Sequence, residues 1–322
     1  MQKGNEDMKL HTHKGVKAVK RKNYSPGSSW ELYALCAIPL ILIFIFSYLP
    51  MGGLIIAFKN YRYDLGIFGS DWAGLKNFKF FFESDAFLRI TRNTLLMNAI
   101  FIVVGLVSAL GLAILLFELR SRFATKIFQT MLIVPNFISW VIAAYMVFAI
   151  LSPNNGFLNV ILAKLGFPKI DWYSRPDAWP GILVIAYVWK SAGMDSIVYY
   201  AALMGIDNTL FEAADIDGAT KWEKIRYVII PAIVPLITIL TILKIGNIFR
   251  ADFGLFYQIP RNVGLLYSTT DVVDTYIFRT MRVTGNMGMS SAVGLLQSVV
   301  GFILVMITNY VSKKIDPETG LF

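Results

Sequence analysis

Charge is what this sequence has least of. Asp, Glu, Lys and Arg make up 16% of its 322 residues, where about 25% is usual for a soluble domain. Hydrophobic residues reach 56% and the mean hydropathy is +0.58, so one or two ordinary soluble domains are excluded and the chain belongs in lipid. Cysteine is nearly absent: Cys36 stands alone in an apolar run, forms no intrachain disulfide and says nothing about redox compartment. Histidine is almost as scarce, and the pair His11 and His13 lacks the further ligands a metal site needs, so no metal is expected. No zincin, nucleophile-elbow or dinucleotide signature occurs, no G-x-x-x-x-G-K-[ST] phosphate loop, and no internal repeat. The chain is therefore expected to be no enzyme and to carry no cofactor of its own.

What charge there is lies unevenly. The net value is +9, yet seven Lys or Arg against two acids precede residue 30. That distribution reads as a membrane-orienting flank and speaks against a nucleic-acid partner. Six stretches have the roughly 20 apolar residues that a bilayer crossing needs: about 31–58, 93–117, 127–151, 180–204, 227–249 and 290–311. None alternates in the manner of a membrane β-barrel, so the fold class is an all-α bundle of six transmembrane helices. The first apolar run is too long for a cleavable signal peptide and has no small-x-small site after it, so it is expected to stay. With the basic flank cytoplasmic, fifteen Lys and Arg fall on the inner side and thirteen on the outer, and both termini are inside. The expected organisation is a basic cytoplasmic tail at 1–29, a six-span domain at 30–315 and a cytoplasmic tail at 316–322. The outer segments 59–92, 152–179 and 250–289 are rich in Gly, Pro and aromatics and are expected to lie along the membrane face.

The inner loop at 207–231 reads DNTLFEAADIDGATKWEKIRYVIIP. Thr209 with Glu212, and Thr220 with Glu223, have capping-box spacing, and Gly218 stands where a helix end tolerates positive φ. The spacing predicts helix, tight turn, helix. Ala213 and Ala214 permit close approach by another surface, and Leu210, Phe211, Ile216 and Trp222 are apolar groups that a merely solvated loop would not need.

On Glu212-Ala213-Ala214, Gly218 and Pro231 the chain resembles the membrane subunits of ABC-type importers, whose cytoplasmic EAA loop has these residues at these spacings. Val228 and Ile230 stand where the family pattern has Ile and Leu. A second segment, 254–279, resembles permeases of the lipoprotein-, polysaccharide- and alginate-type branch of carbohydrate importers through Tyr257, Pro260, Leu265, Leu266, Tyr267, Asp271, Val272, Asp274 and Tyr276. The resemblance implies a type I importer permease fold in the bacterial inner membrane. It implies as partners a second, different permease, two cytosolic ATPases that carry the ATP and Mg, an extracytoplasmic solute-binding protein, and membrane lipid. It also implies that Glu212, Ala213, Ala214, Gly218 and Pro231 form the coupling helix that seats on an ATPase. The alternative class, an ion- or proton-coupled secondary carrier acting without an ATPase, would want mid-membrane acidic relays and a repeated half. Only Asp195 approaches the first.

Polar residues within spans are costly and point to a pathway or an internal partner. Tyr187, Lys190 and Ser191 share a face of the fourth span; Lys244 and Asn247 share one on the fifth, with Arg250 a turn further; Asn136 and Trp140 share one on the third. Amides, hydroxyls and flat rings suit a sugar, and the cations suit an acidic one of the uronate type. These eight residues are the expected substrate pathway. Interhelical hydrogen bonding, or pairing of Lys190 with Asp195, is the structural alternative.

Overall fold

A computed structural model describes residues 30–315; the tails expected at 1–29 and 316–322 lie outside the described residues. The chain divides into two units, 1–53 and 54–322. In the first, α1 (Trp30–Ile43) runs on through a π turn at Phe44–Tyr48. The apolar helical stretch Tyr33–Phe58 is long enough to cross a bilayer.

The second unit is built on a long helical pair. Helix α2 (Ala86–Phe117) has 32 residues, about 48 Å at 1.5 Å per residue, against a hydrocarbon core of about 30 Å. It packs along α5 (Trp179–Leu203). A ladder of small residues at i, i+4 and i+8, Gly105, Ala109 and Ala113, lets the two approach, because apolar lipid offers no hydrophobic drive and close van der Waals contact must supply the association. Tyr187 fills the space above Gly105, with its ring 3.1 Å from where a β-carbon would stand. Further towards the loop at 204–229, Ala109, Ala113, Tyr199, Leu203, Ile229 and Ile233 form one buried cluster.

Among the described residues five helices are long and apolar enough to span, and a bent pair makes up to a sixth. That pair corrects the expectation of one straight helix over 127–151. Helix α3 (Arg122–Phe137) ends two residues before α4 (Trp140–Leu151) begins, and their axes differ by 97°. Pro135 removes a donor in the last turn of α3, Ile138 is extended, and Ser139 starts α4 by accepting the Ile142 N–H at 3.3 Å. Asn136 and Trp140 therefore fall on different helices and do not share a face.

After α5 the chain makes α6 (Asn208–Ile216), then the short helix Lys221–Lys224 and a π turn at Ile225–Ile229 that leads without interruption into α7 (Ile230–Gly246). Helices α8 (Phe253–Gln258), α9 (Val273–Arg282) and α10 (Met287–Ile315) follow. A buried carboxylate organises the segment between α8 and α10: Asp271 accepts from Arg89 at 3.2 Å, from Arg279 at 2.7 and 2.8 Å and from Thr275 at 3.0 Å. Asp274 accepts from the Ala251 N–H and from Gln297, tying the segment after α7 to α9 and α10; burial raises its carboxyl above the usual range, and its hydrogen bonds and the nearby Arg250 charge only partly offset that.

Candidate functional site: the loop at 207–231 and a cleft between helices

The loop at 207–231 folds as its local signals require, with one change. Asp207, not Thr209, caps α6: its carboxylate accepts the Thr209 N–H at 2.9 Å, and that bond holds the carboxyl below its usual range. Aspartate caps as well as threonine or better and adds a negative charge at the positive helix end, so the helix starts earlier than the Thr209–Glu212 spacing predicts. The second capping box forms: Thr220 and Glu223 exchange their bonds, and the Thr220 N–H lowers the Glu223 carboxyl. Between them Gly218 has φ +74°, the Ala219 N–H reaches the Ala214 carbonyl at 2.9 Å, and the Gly218 N–H reaches Asp215 at 3.1 Å. That is a Schellman closure, which needs a left-handed residue at the glycine.

Phe211 anchors α6 against Phe117 at the end of α2, with ring centroids 5.7 Å apart. Lys221 bonds Glu118 at 2.6 Å, and Lys224 pairs with Asp215. Glu212, Ala213, Ile216, Trp222 and Pro231 stay exposed, Ile216 at 87%. Glu212 makes no hydrogen bond or ion pair among the described residues. The loop is fixed to the spans on one side and presents an apolar and acidic face on the other.

On the far side of the break, Lys190 faces the end of α3. Its ammonium donates to the carbonyls of Asn136 at 2.7 Å and Ile138 at 2.5 Å, with Pro135 at 3.5 Å, and lies 5.2 Å from the Trp140 ring centre. Carbonyls freed by a helix end within a membrane have no water to bond, and a cation there meets the negative helix end. Lys190 thus satisfies the break and does not pair with Asp195. Trp140 donates its indole N–H to Asp252 at 2.8 Å, and Asp252 caps α8 through the Leu255 N–H at 3.1 Å. Gly254 sits against the Trp140 ring and Gly193 against the Leu132 backbone, so α8 and α5 both press directly on the broken span.

Four of the expected residues come together. Tyr187, Lys244, Asn247 and Arg250 line a cleft of about 390 Å³ with Asn98, Phe101 and Asp252. Lys190 and Ser191 do not line it; Asn136 contributes its carbonyl to Lys190, and Trp140 reaches the cleft only through Asp252. Lys244 is paired with Asp195 at 2.7 Å, both about one third exposed. Arg250 makes no salt bridge among the described residues; Asp252 shares the lining with it, and the Arg250 charge is felt at Asp274. Asn98 was not among the expected residues. It donates to the carbonyls of Ile248 at 2.7 Å and Arg250 at 3.0 Å, closing the end of α7, and its only signal in sequence is a lone amide in an apolar run.

A bundle of membrane-length helices that carries an exposed Glu-Ala-Ala loop between two of its spans fits the membrane-spanning subunit of a transporter. The chain belongs to the family of binding-protein-dependent transport system inner membrane components, whose profile matches residues 101–317. It is similar to protein LplB of Bacillus subtilis (strain 168), 36% identical over 291 residues covering 90% of this chain and 91% of LplB. It is also similar to the polygalacturonan/rhamnogalacturonan transport system permease protein YteP of the same organism, 34% identical over 287 residues and 89% of each chain. Among solved structures, a chain of a bacterial ABC transporter involved in the import of the acidic polysaccharide alginate superposes with a TM-score of 0.82 at 33% identity, over 90% of this chain and 97% of that one. A second, in complex with an alginate pentasaccharide-bound periplasmic protein, gives 0.81 at 34% identity, over 90% and 96%. The protein is a permease subunit of an ABC importer with the type I fold and not the hydrolytic subunit. That membership sets aside the secondary-carrier reading.

Proposed function

We propose that this chain pairs with a second, different permease to form the pathway for an acidic oligosaccharide of the uronate type. An extracytoplasmic binding protein delivers the sugar, and two cytosolic ATPases bearing ATP and Mg drive the cycle. The observation that carries the substrate class is the cleft: Arg250, which makes no salt bridge among the described residues, lines it together with the amide of Asn247 and the phenol of Tyr187. With Lys244 neutralised by Asp195, the cationic character rests on Arg250 and not on the lysines. A carboxylate gains charge-assisted hydrogen bonds from a guanidinium, and a neutral sugar gains less. The similarity to permeases named for polygalacturonan and alginate import supports the same class.

In proteoliposomes holding the whole complex and its binding protein, Arg250→Gln should lower uptake of an oligouronate about tenfold and leave that of its carboxyl-reduced counterpart nearly unchanged, with normal recovery of complex. Equal loss for both sugars, or none, rejects the acidic reading. Orientation is tested separately. A reporter active only outside the cytoplasm should be silent when fused after Phe322 and active when inserted near Asn155; the reverse pattern would overturn cytoplasmic termini.

A further inference from the structure

Beyond α8 the backbone turns in an unusual way. Arg261 and Asn262 are the two non-glycine residues with positive φ among the described residues, +56° and +51°. Left-handed backbone is unfavourable for a residue with a β-carbon, and asparagine tolerates it better than arginine, so Arg261 is held there by its surroundings. The Arg261 N–H donates to the Gln258 carbonyl at 3.0 Å, the Asn262 N–H to that of Tyr257 at 3.1 Å, and the Tyr267 hydroxyl to Asn262 Oδ1 at 2.8 Å.

The turn closes one side of a pocket of about 340 Å³ between α4 and α8, lined by Tyr145, Tyr257, Gln258, Arg261 and Asn262. The guanidinium lies 4.1 Å above the Phe148 ring and makes no salt bridge among the described residues. The side-chain amide of Gln258 and the Asn262 Nδ2 make no hydrogen bond among the described residues. Tyr257 is stacked on Phe253, which fixes its plane, and Tyr145 is 66% exposed. Two phenol rings, the free amide of Gln258, the Nδ2 of Asn262 and one guanidinium thus line one cavity. Rings suit the apolar face of a sugar, amides its hydroxyls, and a guanidinium its carboxylate.

We propose that this pocket is a second carbohydrate subsite, which takes a carboxylated unit of the same chain whose other units occupy the cleft. The proposal rests on the reading of the cleft given above. Asp252 at the start of α8 lines the cleft and Gln258 at its end lines the pocket, so the six-residue helix separates them by about 9 Å. A chain must exceed a short minimum length to reach both.

The test is a length series of oligouronates, from disaccharide upward, transported by the reconstituted complex with its binding protein. Arg261→Gln should raise KM about tenfold for the longer chains, the loss of one charge-assisted hydrogen bond, and leave the disaccharide and the basal ATPase rate unchanged. Arg261→Lys should restore most of the difference. A KM rise independent of length would place Arg261 in contact with a protein partner and overturn the subsite, as would no rise at any length. If only carboxyl-reduced chains are carried, the acidic reading of the cleft fails, and the carboxylate part of this proposal fails with it. In that event a length-dependent KM in Tyr145→Leu upholds the subsite for neutral sugar, and its absence rejects it.

Discussion

Gly193→Ala should sharply reduce recovery of intact complex, although alanine is the better helix former by about 1 kcal/mol. The added methyl would fall on the Leu132 carbonyl, which is backbone and cannot rotate away. Overpacking of this kind costs about 1–3 kcal/mol, and an unyielding neighbour puts it at the upper end. Gly181 is the control on the same helix: a β-carbon there meets nothing within 4 Å, so Gly181→Ala should be neutral or slightly stabilising. Lys190→Met should add to the picture by removing the donor from the α3 carbonyls, each worth about 1–3 kcal/mol when left unpaired. Lower thermal stability of the extracted complex is the expected reading. Wild-type stability in both Gly193→Ala and Lys190→Met would show that the break is not held from α5.

Transport should fall at least tenfold in Gly218→Val while ATP hydrolysis continues. Nothing crowds a β-carbon at this position, so the effect would come from φ alone: a β-branched residue at +74° is strained by about 1–3 kcal/mol, enough to reorient α6 against the helix that leads into α7. Gly218→Asn should retain most transport, since asparagine tolerates the left-handed region. Equal behaviour of the two variants would remove the conformational argument. Glu212→Lys tests the outward face independently, because Glu212 is exposed and bonds nothing among the described residues. Charge reversal should leave insertion and assembly intact and break the link between hydrolysis and transport. Normal substrate-stimulated hydrolysis with normal transport in Glu212→Lys would reject the loop as the ATPase contact.

The cleft shows how far reading along the chain carries and where it stops. Lys190 and Lys244 look alike in sequence, each a lone cation in an apolar helix. One caps a helix end 54 residues away, and the other pairs with a carboxylate 49 residues away. Arg250, next to them in the same reasoning, makes no salt bridge among the described residues, although Asp252 lines the same cleft and the Arg250 charge reaches Asp274. Helical spacing could group Tyr187 with Lys190 and Lys244 with Asn247, but it could not say which face meets which helix.

By itself the sequence determined that this is a bundle of membrane helices, and it determined the loop at 207–231 closely. In lipid each backbone must satisfy itself within its own helix, so apolar length is enough to find the spans. Caps and turns are settled within a few residues, so Gly218 and the Thr220–Glu223 box are legible; the one miss, Asp207 over Thr209, was a choice between two local caps. The 97° angle at the break that Pro135 and Ser139 mark locally, the partners of Lys190 and Lys244, and the pocket at Arg261 were decided by tertiary structure. Each depends on how closely two helices approach, which is set where Gly193 meets Leu132, Gly105 meets Tyr187 and Gly254 meets Trp140. A charge in a medium without water takes whichever partner that packing brings within reach.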